Sequence, residues 1–210
     1  MEKFHTIYSR AAQRKGSEAM LTLLLSQPKS HRQLVETPSS EILSEMSKKV
    51  FQSGFVWRVV RNKWPDFEEV FWHFDINKLM MMPDDMLEKK AFMLHDIVQA
   101  HGSVGQWLAD WPAEDTIGLW AYLKQHGARL GGNTGPYALR AVGKDTFILS
   151  RDIEAYFRAH KLIDGGLNSK RSLSTIQNAF NQWRKESGLS LQEISQTIAY
   201  ATGDNVAGMA

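Results

Sequence analysis

Apolar residues recur every third or fourth position along almost the whole chain, and that period fits amphipathic helices rather than strands. Ile42, Met46 and Val50 repeat at every fourth residue after Thr37-Pro38, with Ser39 or Ser40 available as a cap. Prolines, glycines and short polar breaks then divide the sequence. They predict helices over 5–14 and 18–25, and after Ser39 or Ser40 as far as Gly54. A further stretch, 55–62, stays helical until Trp64-Pro65. Next come a short amphipathic helix over 66–74 and one over 86–90 capped by Asp84. Helices over 92–101 and 104–111 follow, and then one opened by Pro112 and running to Gln125. The last third holds 136–142, 151–160, 172–187 stopped by Gly188, and 191–202, opened by the capping box Ser190-Leu191-Gln192-Glu193. The expected fold class is all-α, a bundle of about ten helices in two lobes making a single domain over 1–210.

Within this pattern one turn stands out. The helix ending Leu123-Lys124-Gln125-His126-Gly127 leads through Leu130-Gly131-Gly132-Asn133-Thr134-Gly135 into a second short helix that starts at Pro136. A turn of small residues between two helices exposes backbone N–H groups at a helix N-terminus, and such a site holds phosphate without reading sequence. Gly131, Gly132 and Gly135 permit close approach, Asn133 and Thr134 add side-chain donors, and Arg129 and Arg140 flank the turn. An ordinary helix-to-helix turn is the competing reading. A formal charge of +2 neither establishes nor forbids a nucleic-acid partner.

The 210 residues, 43% of them hydrophobic, suit a folded globule. No apolar run reaches the roughly 20 residues that span a bilayer. The start, Met1-Glu2-Lys3-Phe4-His5, lacks signal-peptide order, so a cytoplasmic protein with no membrane association is expected. The absence of cysteine excludes disulfides and thiolate metal sites. No two of His5, His31, His73, His95, His101, His126 and His160 stand at metal-ligand spacing, so neither a metal nor any other cofactor is expected.

The segment Phe51-Gln52-Ser53-Gly54-Phe55-Val56-Trp57, then Lys63, Phe67, Phe71 and Phe74-Asp75, resembles the 3-methyladenine DNA glycosylase I family. Leu123-Lys124 to Gly127, with Gly132, Thr134, Tyr137 and Gly143, is similar to the same family's hairpin region. The two matches cover about a third of the chain, in the right order. The resemblance implies a helix-hairpin-helix glycosylase fold, with the hairpin element at about 117–143 and base-pocket helices at about 40–63. It also implies a base-excision repair hydrolase that cleaves the N-glycosidic bond of an alkylated purine flipped out of double-stranded DNA. A monomer is expected.

In that frame Trp57 would stack the base, Gln52 would bond its edge, and Tyr8 would be a pocket tyrosine. The competing readings are core packing for Trp57 and surface packing for Tyr8. Three departures stand beside the resemblance. The family's zinc ligands include Cys, which this chain lacks. The position of the family's base-contacting carboxylate is Lys49, leaving Glu45, one turn earlier, as the nearest substitute. A basic helical stretch expected between 86–90 and 92–99 is missing, because Lys90 is followed directly by Ala91.

In the wider superfamily an Asp follows the hairpin after an apolar run. Laying Phe147-Ile148-Leu149 on that run puts Ser150 at the acid's place and makes Asp152 the second catalytic candidate, against a helix-capping role. Pro136 stands where lyase-active members carry a nucleophilic lysine. It has no amine, so the resemblance implies a monofunctional enzyme. Two rival readings remain: a non-catalytic helix-hairpin-helix DNA-binding protein that has lost the acid, and an interaction domain docking a partner on Phe67, Phe71 and Phe74.

Overall fold

The computed structural model describes residues 1–82 and 87–203. The Asp84 cap lies outside them. Thirteen α-helices and no strand occur among the described residues, so the protein is all-α. The chain divides into two compact units.

The first unit holds Met1–Pro28, Glu114–Ile117 and the chain from Asp145 onward. Its elements are α1 (Phe4–Lys15), α2 (Glu18–Leu24), α11 (Arg151–Ala159), α12 (Lys170–Ser187) and α13 (Leu191–Thr202). Trp183, Phe180, Phe157, Phe147 and Tyr156 form its centre, each no more than 1% exposed. Phe147 stacks on Phe180 with ring centroids 4.2 Å apart, so the extended run 147–149 is an apolar strap rather than a strand. Asp145, just before it, accepts hydrogen bonds from Leu191 N at 3.0 Å and Gln192 N at 2.9 Å, anchoring the N-terminus of α13. The capping box at Ser190 and Glu193 forms as the sequence predicts, and Gly188 ends α12 in the left-handed region at φ 72°.

The second unit holds Lys29–Ala113 and Gly118–Lys144. It contains α3 (His31–Val35), α4 (Ser39–Gln52), α5 (Trp57–Val70), α6 (Ile76–Leu79), α7 (Leu87–His101), α8 (Val104–Asp110) and α10 (Thr134–Val142). The greater part of α9 (Thr116–His126) also belongs here. Helix α4 is the spine, and Ile42, Leu43 and Met46 on it are fully buried. Pro38, rather than Ser39 or Ser40, takes the N-cap position of α4, and no side chain caps it. Ser39 Oγ instead accepts from Val104 N at 3.4 Å.

The largest difference from the sequence reading is at Pro65. The two expected helices meeting there are one, α5, with Pro65 inside it. Proline takes away the N–H that would bond the Arg61 carbonyl. Packing outweighs that loss. Trp64 is 4% exposed and stacks on Phe67 at 5.4 Å and Phe74 at 5.5 Å, with Phe51 edge-on at 6.0 Å. Its indole donates to Ser44 Oγ at 2.9 Å, and Ser44 donates to Glu68 at 3.0 Å. After α5, Trp72, His73 and Phe74 all take positive φ, at roughly 1–2 kcal/mol each. That turn swings Phe74 inward. Phe67 and Phe71 pack partly buried against the same core, so these three rings are internal and do not form a docking face. Helix α7 runs unbroken through Lys90 and Ala91, where two helices were expected.

Candidate functional site

Helices α4 and α10 pack together within the second unit, bringing the Gln52–Trp57 region against the hairpin's second helix. Helix α4 ends at Gln52. The turn Ser53-Gly54-Phe55-Val56 reverses the chain, and Trp57 opens α5. Val56 at the N-cap position has no capping side chain, and Phe55, Val56, Trp57 and Val59 around the start of α5 are exposed. Trp57 is 50% exposed, so it is not a core residue. One edge of it meets Tyr137 of α10 in a T-shaped contact, with centroids 6.3 Å apart.

Lys49 completes this cluster. Its Nζ lies 5.5 Å from the centre of the Trp57 ring and donates to Gln52 Oε1 at 2.9 Å. Gln52 is itself buried at 5% exposure, so its amide is a fixed acceptor. Burial pushes the Lys49 ammonium below its ordinary range; Glu45 opposes that shift, while Lys48 and Arg61 add to it. Glu45 sits one turn back on α4 in an ion pair with Lys48 at 2.5 Å. Lys48 also lies 5.1 Å over Trp64, which ties this acid–base pair to the aromatic core.

The hairpin divides into outward and inward residues. Arg129, Gly132 and Asn133 are exposed, while Gly131 and Thr134 are half-buried. Gly132 has φ +59° and no heavy atom within 4 Å of a Cβ built on it. Arg129 is left-handed as well, at φ 60°. Gly135 is buried, and a Cβ there would stand 2.5 Å from the Leu130 carbonyl oxygen. It serves the packing of the turn on itself and offers no surface to a phosphate. Pro136 is buried in the first turn of α10, where a missing N–H costs nothing.

Tyr8 and Asp152 belong to the first unit. Tyr8 Oη shares a hydrogen bond with Thr22 Oγ1 at 3.2 Å. The ring lines an open cavity of about 350 Å³ with Phe4, His5, Glu18 and Glu186. Ser150, not Asp152, caps α11, accepting from Ile153 N at 3.3 Å. Asp152 follows in the first turn with its carboxylate against Gly203, where a Cβ would come within 2.5 Å of Oδ1. The capping reading of Asp152 therefore passes to Ser150. Of the sequence-predicted residues, Gln52 and Trp57 come together in the second unit through Lys49, while Glu45 lies further back on α4, paired with Lys48. Tyr137, which the motif spacing included without a role, is the added member. Lys49, which stands where the family carries an acid, is the central cation.

Among the described residues no three His, Asp or Glu side chains come together to hold a metal ion. No described helix is long and apolar enough to cross a membrane. No protein-family model, curated protein or solved structure matches the chain. The chemistry on offer is an exposed indole face, a fixed amide, one partly desolvated amine and one carboxylate, beside a turn with outward glycine and arginine.

Proposed function

We propose that the protein is a DNA repair glycosylase of helix-hairpin-helix type. It would grip double-stranded DNA through the hairpin and hydrolyse the N-glycosidic bond of an alkylated, 3-methyladenine-like purine flipped against Trp57. The contact between Trp57 and Tyr137 carries this reading, because it joins in one unit the two sequence regions that resemble the family. Trp57 offers a stacking face, and Gln52, whose Oε1 is taken by Lys49, would reach a base edge with its amide N–H groups. Arg129, Gly132 and Asn133 face outward to meet phosphate.

Glu45 is the carboxylate on the Gln52-bearing helix, and its role would be to activate water or to stabilise the cationic sugar. Asp152 remains the second candidate acid. Pro136 puts no amine at the position where lyase-active members carry their nucleophilic lysine, so water is the nucleophile in this reaction. The enzyme acts as a cytoplasmic monomer without a cofactor.

Lys49 favours a second reading. A cation beside Trp57 opposes a cationic alkylated base, as expected of a helix-hairpin-helix DNA-binding protein that no longer cuts. Base release from methylated duplex DNA separates the two. Wild-type protein is expected to free 3-methyladenine and Glu45→Gln to lose that activity; loss in Asp152→Asn instead would transfer the role to Asp152. Duplex binding with no base released by wild type would leave the second reading standing.

A further inference from the structure

The polar groups around the exposed side of Trp57 are mainly hydrogen-bond donors, and they leave the site cationic. Lys49 Nζ, 5.5 Å from the centre of the indole, gives one N–H to Gln52 Oε1 at 2.9 Å and keeps its others. That bond engages the Gln52 oxygen, so what this buried amide has left to offer is its NH2 group. Arg61 stands four residues after Trp57 on α5, hence on the same face of the helix, and is exposed; a guanidinium can only donate. Glu45, the carboxylate one turn before Lys49 on α4, is paired with Lys48, so each cancels the other's charge. Tyr137 meets the edge of Trp57 and brings a hydroxyl that donates or accepts. Lys49 and Arg61 therefore set the sign of the site. It repels a base that already carries positive charge and attracts one that presents acceptors.

Purines differ in what they show to such donors. A 6-oxopurine presents O6 and N7 along one edge, both acceptors, and lysine is a suitable partner for that pair; a 6-aminopurine puts an amino donor beside N7 instead. Stacked rings lie about 3.5–4 Å apart, closer than the Lys49 ammonium lies to the indole centre, so a base can occupy the indole face with that ammonium at its rim. There an oxo group would accept from Lys49 Nζ, whereas an amino group would set donor against donor. We propose that the Trp57 site takes a neutral 6-oxopurine, such as hypoxanthine, extruded from duplex DNA, with Lys49 Nζ donating to O6 and so selecting it over adenine. Lys49 determines specificity in this arrangement and takes no part in bond breaking. The inference rests on the reading of Trp57 as the base site and moves the preferred base of that site from a cationic alkylated adenine to a neutral oxo base.

Equilibrium binding of the whole chain, read by fluorescence anisotropy, tests it. Three labelled duplexes are compared: one carries hypoxanthine and one adenine, each opposite an abasic analogue so that neither base is paired, and the third is fully paired. Wild-type protein should bind the hypoxanthine duplex roughly tenfold more tightly than the adenine duplex, the discrimination expected of one good edge contact. Lys49→Met keeps the stem and removes the donor, and should bind the two alike. Lys124→Met on the hairpin should keep the preference. Equal affinities in wild type, or a preference that survives Lys49→Met, would overturn the inference; tighter binding of adenine would overturn it in favour of Glu45 as the base reader. The wild-type comparison decides the matter even if Lys49→Met folds poorly. If both unpaired bases bind equally, more tightly than the paired duplex and only while Trp57 is present, the inference fails and the base site stands. If Trp57→Ala binds all three duplexes as wild type does, the base site itself is lost, and the inference with it.

Discussion

Replacing Gly135 by alanine tests how the hairpin is built. The new Cβ would stand 2.5 Å from the Leu130 carbonyl oxygen, a backbone atom that no rotamer change can move. Ordinary carbon–oxygen approach is about 3.3–3.6 Å, so the turn must open by nearly 1 Å. Overpacking of this kind costs about 1–3 kcal/mol, and the gain in helix propensity returns at most about 1 kcal/mol. The net expectation is a loss of about 1–2 kcal/mol. For a chain of this length that lowers the melting temperature by about 2–8 °C, read by far-ultraviolet circular dichroism. Because α10 also carries Tyr137, the same shift should loosen the Trp57 contact and weaken duplex binding. Gly132→Ala is the control: it has open space around it, and its cost is the left-handed backbone alone, about 1 kcal/mol. A Gly135→Ala protein as stable as wild type would refute the close approach of turn to helix.

Other outcomes follow from the packing and charge of each unit. Pro65→Ala should stabilise the second unit by about 1–3 kcal/mol in urea unfolding, since Pro65 is exposed inside α5 and alanine restores a helical N–H; a destabilised variant would show that proline is needed there. Asp145→Ala should cost about 1.5–3 kcal/mol by removing two charge-assisted bonds at the start of α13, and an unchanged melting temperature would count against that anchor. Glu2 accepts from Arg10 at 2.8 Å and from Tyr156 at 2.9 Å, and the Arg10 bond holds its carboxyl below the ordinary 4.5. A lowered acid contributes stability above its unfolded value and loses it as pH falls through the folded one. Wild type and Glu2→Gln should therefore converge as pH falls through the lowered folded-state value of Glu2, and a constant difference in acid would exclude the linkage. Burial and Glu2 push the Tyr156 phenol up from 10, so the first unit should also lose stability as pH rises beyond 10.

The helical class and several element ends were legible because their signals are local. The Ser190 box, Gly188 as a stop and the Ile42–Met46–Val50 stripe each depend on residues within a turn or two of one another. Pro65 misled because its local cost is outweighed by Trp64, Phe67 and Phe74, and stacking is not written in helical period. The same period reads Trp57 as core, whereas half of it faces water beside a residue 80 positions away. Gly135 looked like its neighbours Gly131 and Gly132, and only the Leu130 carbonyl separates a packing glycine from an outward one. At Lys49 the sequence showed a missing acid. What it could not show was an amine fixed between a buried amide and an indole face.

The role of Trp57 as the base site is tested most directly by the indole N–H resonances of the seven tryptophans, the Trp57 signal being assigned through Trp57→Phe. The protein is titrated with a duplex bearing one 3-methyladenine analogue whose glycosidic bond resists hydrolysis. The Trp57 signal should shift first and furthest, while buried Trp64 and Trp183 stay in place. Saturable duplex binding that leaves the Trp57 signal unmoved would contradict the assignment.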